Sequence, residues 1–128
     1  MKNKKLHERW FRKAEDDQIV IDTLFQREQA PAMICFHAQQ LVEKYLKGFI
    51  VFKKKELAKT HDLIKLENTI IHFEKNIEKY HNDLAFLTQC YFESRYPGDI
   101  PDLTWEEAKI AIQSAKEIKE FIEEKIEV

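Results

Sequence analysis

The side chains best suited to chemistry in this 128-residue chain fall into three short groups. The first is His37, Gln40, Glu43, Lys44 and Lys47; the second is His61 with Asp62; the third is Arg95 with Tyr96. At roughly 100° per residue, the first group gathers with Gln39 on one arc of a helix. The second sits at a helix start, where free backbone N–H groups favour anions. The third precedes a proline-rich loop. Brought together in a bundle, histidine, lysine and arginine would make a compact site for a phosphate or a nucleotide.

Plainer roles for the same residues stay open. Lys44 and Lys47 are also what an ordinary solvated helix face carries. His61 could donate to a neighbouring carbonyl, and Arg95 could pair with Glu93 or Asp99. Other chemistries are missing. The two glycines, Gly48 and Gly98, are isolated, so there is no phosphate-cradling loop. Of the five histidines, no pair has the spacing of a zinc peptidase helix, and neither cysteine has a partner at zinc-site spacing, so no metal is expected. Cys35 and His37 are two apart and point to different sides of a helix, which argues against a thiol–imidazole pair.

Five helical stretches must position these groups. Leu6, Trp10, Ala14, Ile21, Leu24 and Phe25 share one face of a helix from about Lys4 to Arg27, opposite Glu15, Asp16, Asp22 and Glu28. Pro31 opens a second helix reaching about Lys54. Ile34, Cys35, Ala38, Leu41, Val42, Tyr45, Leu46, Phe49 and Phe52 form its broad apolar face. Met33, Phe36, Ile50 and Val51 fall inside its polar arc, which predicts a central helix or one covered by a partner chain. After a flexible-looking link at Lys53–Lys55, Thr60 is the expected N-cap of a third helix. The rhythm Leu63, Leu66, Ile70, Phe73, Ile77, Tyr80, Leu84, Leu87 and Tyr91 fits one long helix or two in register, and two with a break near Asn76 to Asn82 are expected. The run from Tyr96 to Pro101 reads as a loop. Thr104 caps a last helix with Glu106 and Glu107 in its first turn. Trp105, Ala108, Ile112, Ala115, Ile122 and Ile126 form its stripe, and Ala108, Ala111 and Ala115 allow close helix approach.

Composition agrees with this reading. With two glycines and three prolines the chain has few turns to spend, which excludes an all-β fold. The 44% apolar and 34% charged residues mark a globular chain rather than a disordered one. A formal net charge of −2 and a pI near 6.2 do not support a protein that coats RNA or DNA, so any such binding must come from a local patch. Two cysteines among apolar residues fit buried thiols in a reducing compartment. The polar Met1–Trp10 segment is no signal peptide, and no apolar run approaches the roughly 20 residues of a membrane span. Residues 1–128 are therefore expected to form a single all-α, up-and-down bundle of about five helices, in the cytoplasm and without membrane contact.

The run from Cys35 to Lys47, with His37-Ala38-Gln39-Gln40 and Glu43-Lys44-Tyr45-Leu46-Lys47 at its heart, resembles the central helix of bacterial and archaeal HEPN domain proteins. Trp10 to Ala14 with Asp17, Thr60-His61-Asp62-Leu63 and Ser94-Arg95-Tyr96-Pro97 resemble the family's first helix, helix-opening motif and pre-loop motif, in order. The last helix fits as well, so the resemblance covers nearly the whole chain. It implies a helical bundle, commonly a homodimer, paired with a minimal nucleotidyltransferase encoded nearby in a toxin–antitoxin or nucleotide-handling system. Carried over by position, His37, Glu43, Lys44, Lys47, His61, Asp62, Arg95 and Tyr96 match the family pattern.

One departure bears on activity. Ribonuclease members carry an arginine followed about four to six residues later by a histidine, and none of Arg9, Arg12, Arg27 or Arg95 is so followed. The leading expectation is a non-catalytic module that binds ATP or another nucleotide, or a nucleotidyltransferase partner. The alternative is a metal-independent endoribonuclease toxin with His61 or His37 as acid/base and Arg95 as phosphate clamp. A ligand-free structural interaction bundle is the third.

Overall fold

The computed structural model describes residues 6–97 and 102–127. The chain forms five α-helices: α1 (Leu6–Arg27), α2 (Pro31–Phe52), α3 (Leu63–Ile70), α4 (His81–Glu93) and α5 (Trp105–Glu127). A 3₁₀ segment, Lys75–Tyr80, joins α3 to α4, and no strand occurs among the described residues. The expected start of α1 at Lys4 and the loop residues Gly98 to Pro101 lie outside the described residues.

The helix ends are made by local chemistry. α1 and α2 both close in a paired hydrogen-bond motif whose outer residue adopts the left-handed backbone. Gln29 N–H donates to the Leu24 carbonyl at 3.1 Å and Glu28 N–H to that of Phe25 at 3.1 Å, with φ 52° at Glu28. Lys55 donates to Ile50 at 3.1 Å and Lys54 to Val51 at 2.9 Å, with φ 57° at Lys54. The Lys53–Lys55 link, flexible by its composition, is thus the ordered stop of α2, built without the usual glycine. At α3 the cap is Asp62 and not Thr60. The Asp62 carboxylate accepts from Ile64 N–H at 2.9 Å, while the Thr60 hydroxyl accepts from Asp62 N–H at 3.0 Å. The break between the third and fourth helices begins at Ile71, earlier than Asn76, and the 3₁₀ segment then occupies Lys75–Tyr80. Thr104 caps α5 as expected. Its hydroxyl accepts from Glu107 N–H at 3.1 Å and the Glu107 carboxylate accepts from Thr104 N–H at 2.8 Å, a reciprocal capping box.

α2 is the central element. Ile34, Leu41, Val42, Leu46, Phe49 and Ile50 are fully enclosed, each side chain contributing roughly 1.5–3 kcal/mol of transfer free energy. α1 and α5 flank it, and α3 and α4 cover the rest. Leu63, Leu66, Ile70, Ile77, Leu84 and Leu87 join the same core from the other side, with Ala108, Ala111, Ala115, Ile118 and Ile122 from α5. α1 approaches α2 closely at Gly48, where a Cβ atom would lie 2.5 Å from a ring carbon of Phe11. The apolar residues on the second arc of α2 are mostly covered by the chain itself. Ile50 is fully buried, Phe36 and Val51 are half-buried, and Met33 is 38% exposed. No helix of the described residues is long and apolar enough to cross a membrane.

Candidate functional site

α2 carries His37, Gln40, Lys44 and Lys47 at successive steps of three and four, so one arc of the helix holds all four side chains. That arc is not solvated. α1 lies along it and sets the buried carboxylate of Asp17 against it. Asp17 Oδ1 is 2.8 Å from His37 Nδ1, and Lys44 Nζ donates to Asp17 Oδ2 at 2.6 Å. A buried carboxylate is tolerated when it is both paired and hydrogen-bonded, and here one side chain of α1 meets two of α2, one per oxygen.

The second centre is Glu43, also buried. Lys47 Nζ donates to its Oε2 at 3.0 Å, and Gln39 Nε2 donates to its Oε1 at 3.1 Å. His61 Nδ1 lies 2.9 Å from the same Oε1. Gln39 also donates to the His61 carbonyl at 2.9 Å and accepts from Gln40 at 2.7 Å. Gln39 therefore fixes the backbone of the link before α3 while Glu43 fixes the ring on that backbone. An ionised carboxylate only accepts, so Nδ1 of His37 and of His61 carries the proton and Nε2 is left for another partner. The Lys47 ammonium lies 5.6 Å from the centre of the Trp10 ring, which places an apolar wall beside this pair.

A third set is aromatic. His61 stacks on Tyr91 with ring centres 4.8 Å apart and planes 18° apart, and Phe36 stacks on Tyr91 at 5.8 Å and 22°. The Arg95 guanidinium lies 4.9 Å from the centre of the Tyr91 ring and donates to its hydroxyl at 2.5 Å. Tyr91 is enclosed, while His61 is 54% exposed and Arg95 is exposed. One face of the imidazole rests on Tyr91, and about half of the side chain is exposed. His61 and Arg95, from distant parts of the sequence, thus converge on one tyrosine at the rim of the bundle.

Of the residues expected from sequence, His37, Gln40, Glu43, Lys44, Lys47, His61 and Arg95 belong to this connected arrangement. Several plainer roles are corrected. Lys44 and Lys47 are not a solvated face; each neutralises a buried carboxylate and is committed inside the fold. His61 meets a carboxylate rather than a carbonyl. Arg95 has an aromatic partner and, among the described residues, no ion pair with Glu93; Asp99, the other acid expected for it, lies outside the described residues. Asp62 spends its carboxylate on capping α3, so the helix start there is already satisfied. Tyr96 follows α4 and is 58% exposed. Asp17, Gln39, Phe36 and Tyr91 complete the arrangement and are not among the site residues expected from sequence. Asp17 and Tyr91 break the polarity of their stripes, a charge among apolar positions and a hydroxyl at a core position, and that is the available signal. Among the described residues no group of three or more histidine, cysteine, aspartate or glutamate side chains is arranged to hold a metal ion.

A helical bundle with a carboxylate-braced histidine rim defines a class rather than an activity. The family model of the HEPN domain matches residues 7–125, and the chain belongs to that family. Among solved structures, the crystal structure of TT1696 from Thermus thermophilus has the same fold. It matches with a TM-score of 0.79 and 24% sequence identity, covering 95% of this chain and 98% of that one. Comparison with curated proteins finds no match.

Proposed function

We propose that this HEPN-family bundle binds a nucleotide at the rim formed by His61, Tyr91 and Arg95, and works in the cytoplasm as the partner of a minimal nucleotidyltransferase. The observation that carries the reading is that the Arg95 guanidinium and the stacked His61 ring meet the same side chain, Tyr91. A guanidinium fixed by one hydrogen bond keeps further N–H groups for phosphate oxygens, and a half-exposed imidazole accepts a base by stacking. Lys44 and Lys47 contribute indirectly, holding the carboxylates that orient the two histidines. The exposed Met33, Phe92 and Tyr96 supply apolar surface for a homodimer, for which twofold closure is the usual solution.

Calorimetric titration of the purified protein with ATP and GTP tests the site. Micromolar binding that is lost in Arg95→Ala is the expected result. No heat with either nucleotide overturns it and leaves a ligand-free interaction bundle. Light scattering at micromolar concentration tests the dimer, and a clean monomer mass would sink it.

A second reading rests on the Glu43–His61 pair. A carboxylate that holds Nδ1 and leaves Nε2 without a partner is the arrangement of a general base, and Arg95 on the same tyrosine would clamp a phosphate. That geometry favours a metal-independent endoribonuclease, although the family's arginine-to-histidine spacing is absent. Incubation of RNA with wild-type and His61→Ala protein decides: cleavage lost in the variant supports it, and intact RNA with wild type removes it.

A further inference from the structure

Three buried carboxylates in this bundle each meet a histidine through Nδ1, and two of the three are completed by a lysine. Asp17 has His37 and Lys44, and Glu43 has His61 and Lys47. The third is Glu67 of α3, whose side chain is 4% exposed. Its Oε1 lies 2.7 Å from Nδ1 of His81, the first residue of α4. Among the described residues no cation and no other donor reaches Glu67. Its Oε2 is also not sealed in, because no buried side-chain oxygen or nitrogen lacks a partner among those residues. Oε2 therefore keeps some accessible surface, and Glu67 lines a cavity of about 460 Å³.

The other walls of that cavity include Asn68, Glu78, Lys79, His81 and Asn82. Glu78 adds a second carboxylate, and the two carboxamides add carbonyl acceptors. Lys79 does not fill the missing place, since its ammonium lies 5.3 Å from the centre of the Tyr80 ring and forms no ion pair with Glu67. With a half-exposed imidazole at one oxygen and no donor at the other, the Glu67 carboxylate can accept a further charged donor. We propose that this cavity, between α3 and the start of α4, binds a primary ammonium group, supplied by a diamine or by a lysine of another polypeptide. The ammonium would take the place at Glu67 Oε2 that Lys44 and Lys47 take at Asp17 and Glu43.

The test follows the ¹³C resonance of the Glu67 carboxyl and the ring signals of His81 in the full chain. The probes are 1,4-diaminobutane and Nα-acetyl-lysine methylamide, with tetramethylammonium as a cation lacking N–H donors. Saturable shifts with the two amines and none with tetramethylammonium are expected. Tighter binding of the diamine points to a small polyamine and tighter binding of the lysine amide to a protein partner; both support the site. Glu67→Gln should weaken binding about tenfold or more, the loss of a charge-assisted hydrogen bond. Lys79→Ala should bind at least as well as wild type. If Glu67→Gln does not fold, Glu78→Gln, at an exposed position, should weaken binding several-fold. Shifts that do not saturate, that appear equally with tetramethylammonium, or that persist unchanged in Glu67→Gln and Glu78→Gln overturn the proposal.

Discussion

Replacing Glu43 by glutamine should destabilise the bundle severely although it alters the side chain by one atom. Glu43 gathers Lys47 at 3.0 Å, His61 at 2.9 Å and Gln39 at 3.1 Å around one buried carboxylate. Lys47 is only 10% exposed in its side chain and cannot turn to water without leaving the α1–α2 seam. A glutamine would leave the ammonium without its counter-charge and would point an N–H₂ at one of three donors. Breaking a buried pair from one side costs about 3–5 kcal/mol, a large part of the roughly 5–15 kcal/mol that holds a domain folded. With a urea slope of about 2 kcal/mol per molar, the unfolding midpoint should fall by about 2 M, at nearly constant slope. Glu43→Gln with Lys47→Met should recover part of the loss, because the unpaired ammonium is then gone. Lys109→Ala removes an exposed 3.6 Å pair with Glu106 and should cost no more than about 0.5 kcal/mol. A Glu43→Gln stability within about 1 kcal/mol of wild type would refute the claim that this carboxylate is an internal counter-ion.

Three further outcomes are expected. Burial, and then the Glu123 carboxylate, push the Tyr45 phenol well above its ordinary value, so the unfolded chain loses this proton first as pH rises. Stability is then complete below about pH 10 and falls above it, and Tyr45→Phe should flatten that loss in thermal melts at about pH 9 to 11. A hydrogen bond with Cys35, and then burial, push the Cys90 thiol upward, and both cysteines are fully enclosed. A thiol-reactive dye should label neither in the native protein and both in urea. Asp62→Ala and Thr104→Ala each remove an N-cap and should cost about 1 kcal/mol in urea melts, with the Asp62 change also loosening His61.

Periodicity makes the helices and most of the core legible, because an apolar stripe records which side of a helix is enclosed. The same property hides the break after Ile70. The 3₁₀ segment and α4 keep the stripe in phase, so Phe73, Ile77 and Tyr80 read as a continuation although the backbone has changed its hydrogen bonding. The end of α2 is legible to within two residues, and its ordered stop is not, because Lys54 takes the left-handed position that a glycine would have advertised. The polar arc of α2 is legible and its surroundings are not. Whether Lys44 meets water or a carboxylate depends on what α1 brings to it, and a pattern within one helix carries no record of Asp17. Arg95 invites pairing with Glu93 near it in sequence, and among the described residues its partner is Tyr91, one turn earlier on the same chain.

The carboxylates that orient the histidines of this rim also hold the fold together. Asp17 and Glu43 fix His37 and His61; Asp17 also ties α1 to α2 through Lys44, while Glu43 neutralises Lys47 within α2. A substitution at either carboxylate therefore changes the site and the stability together, and lost function there says little about chemistry. His61 and Arg95 stand on the solvent side of the same network. Removing the His61 ring leaves Glu43 with Lys47 and Gln39, and removing the Arg95 guanidinium leaves Tyr91 enclosed with its hydroxyl near the rim. Those two positions separate binding from folding. A loss of nucleotide or RNA activity at His61 or Arg95, with the urea midpoint unchanged, would locate the function at the rim in a way that no substitution at Asp17 or Glu43 can.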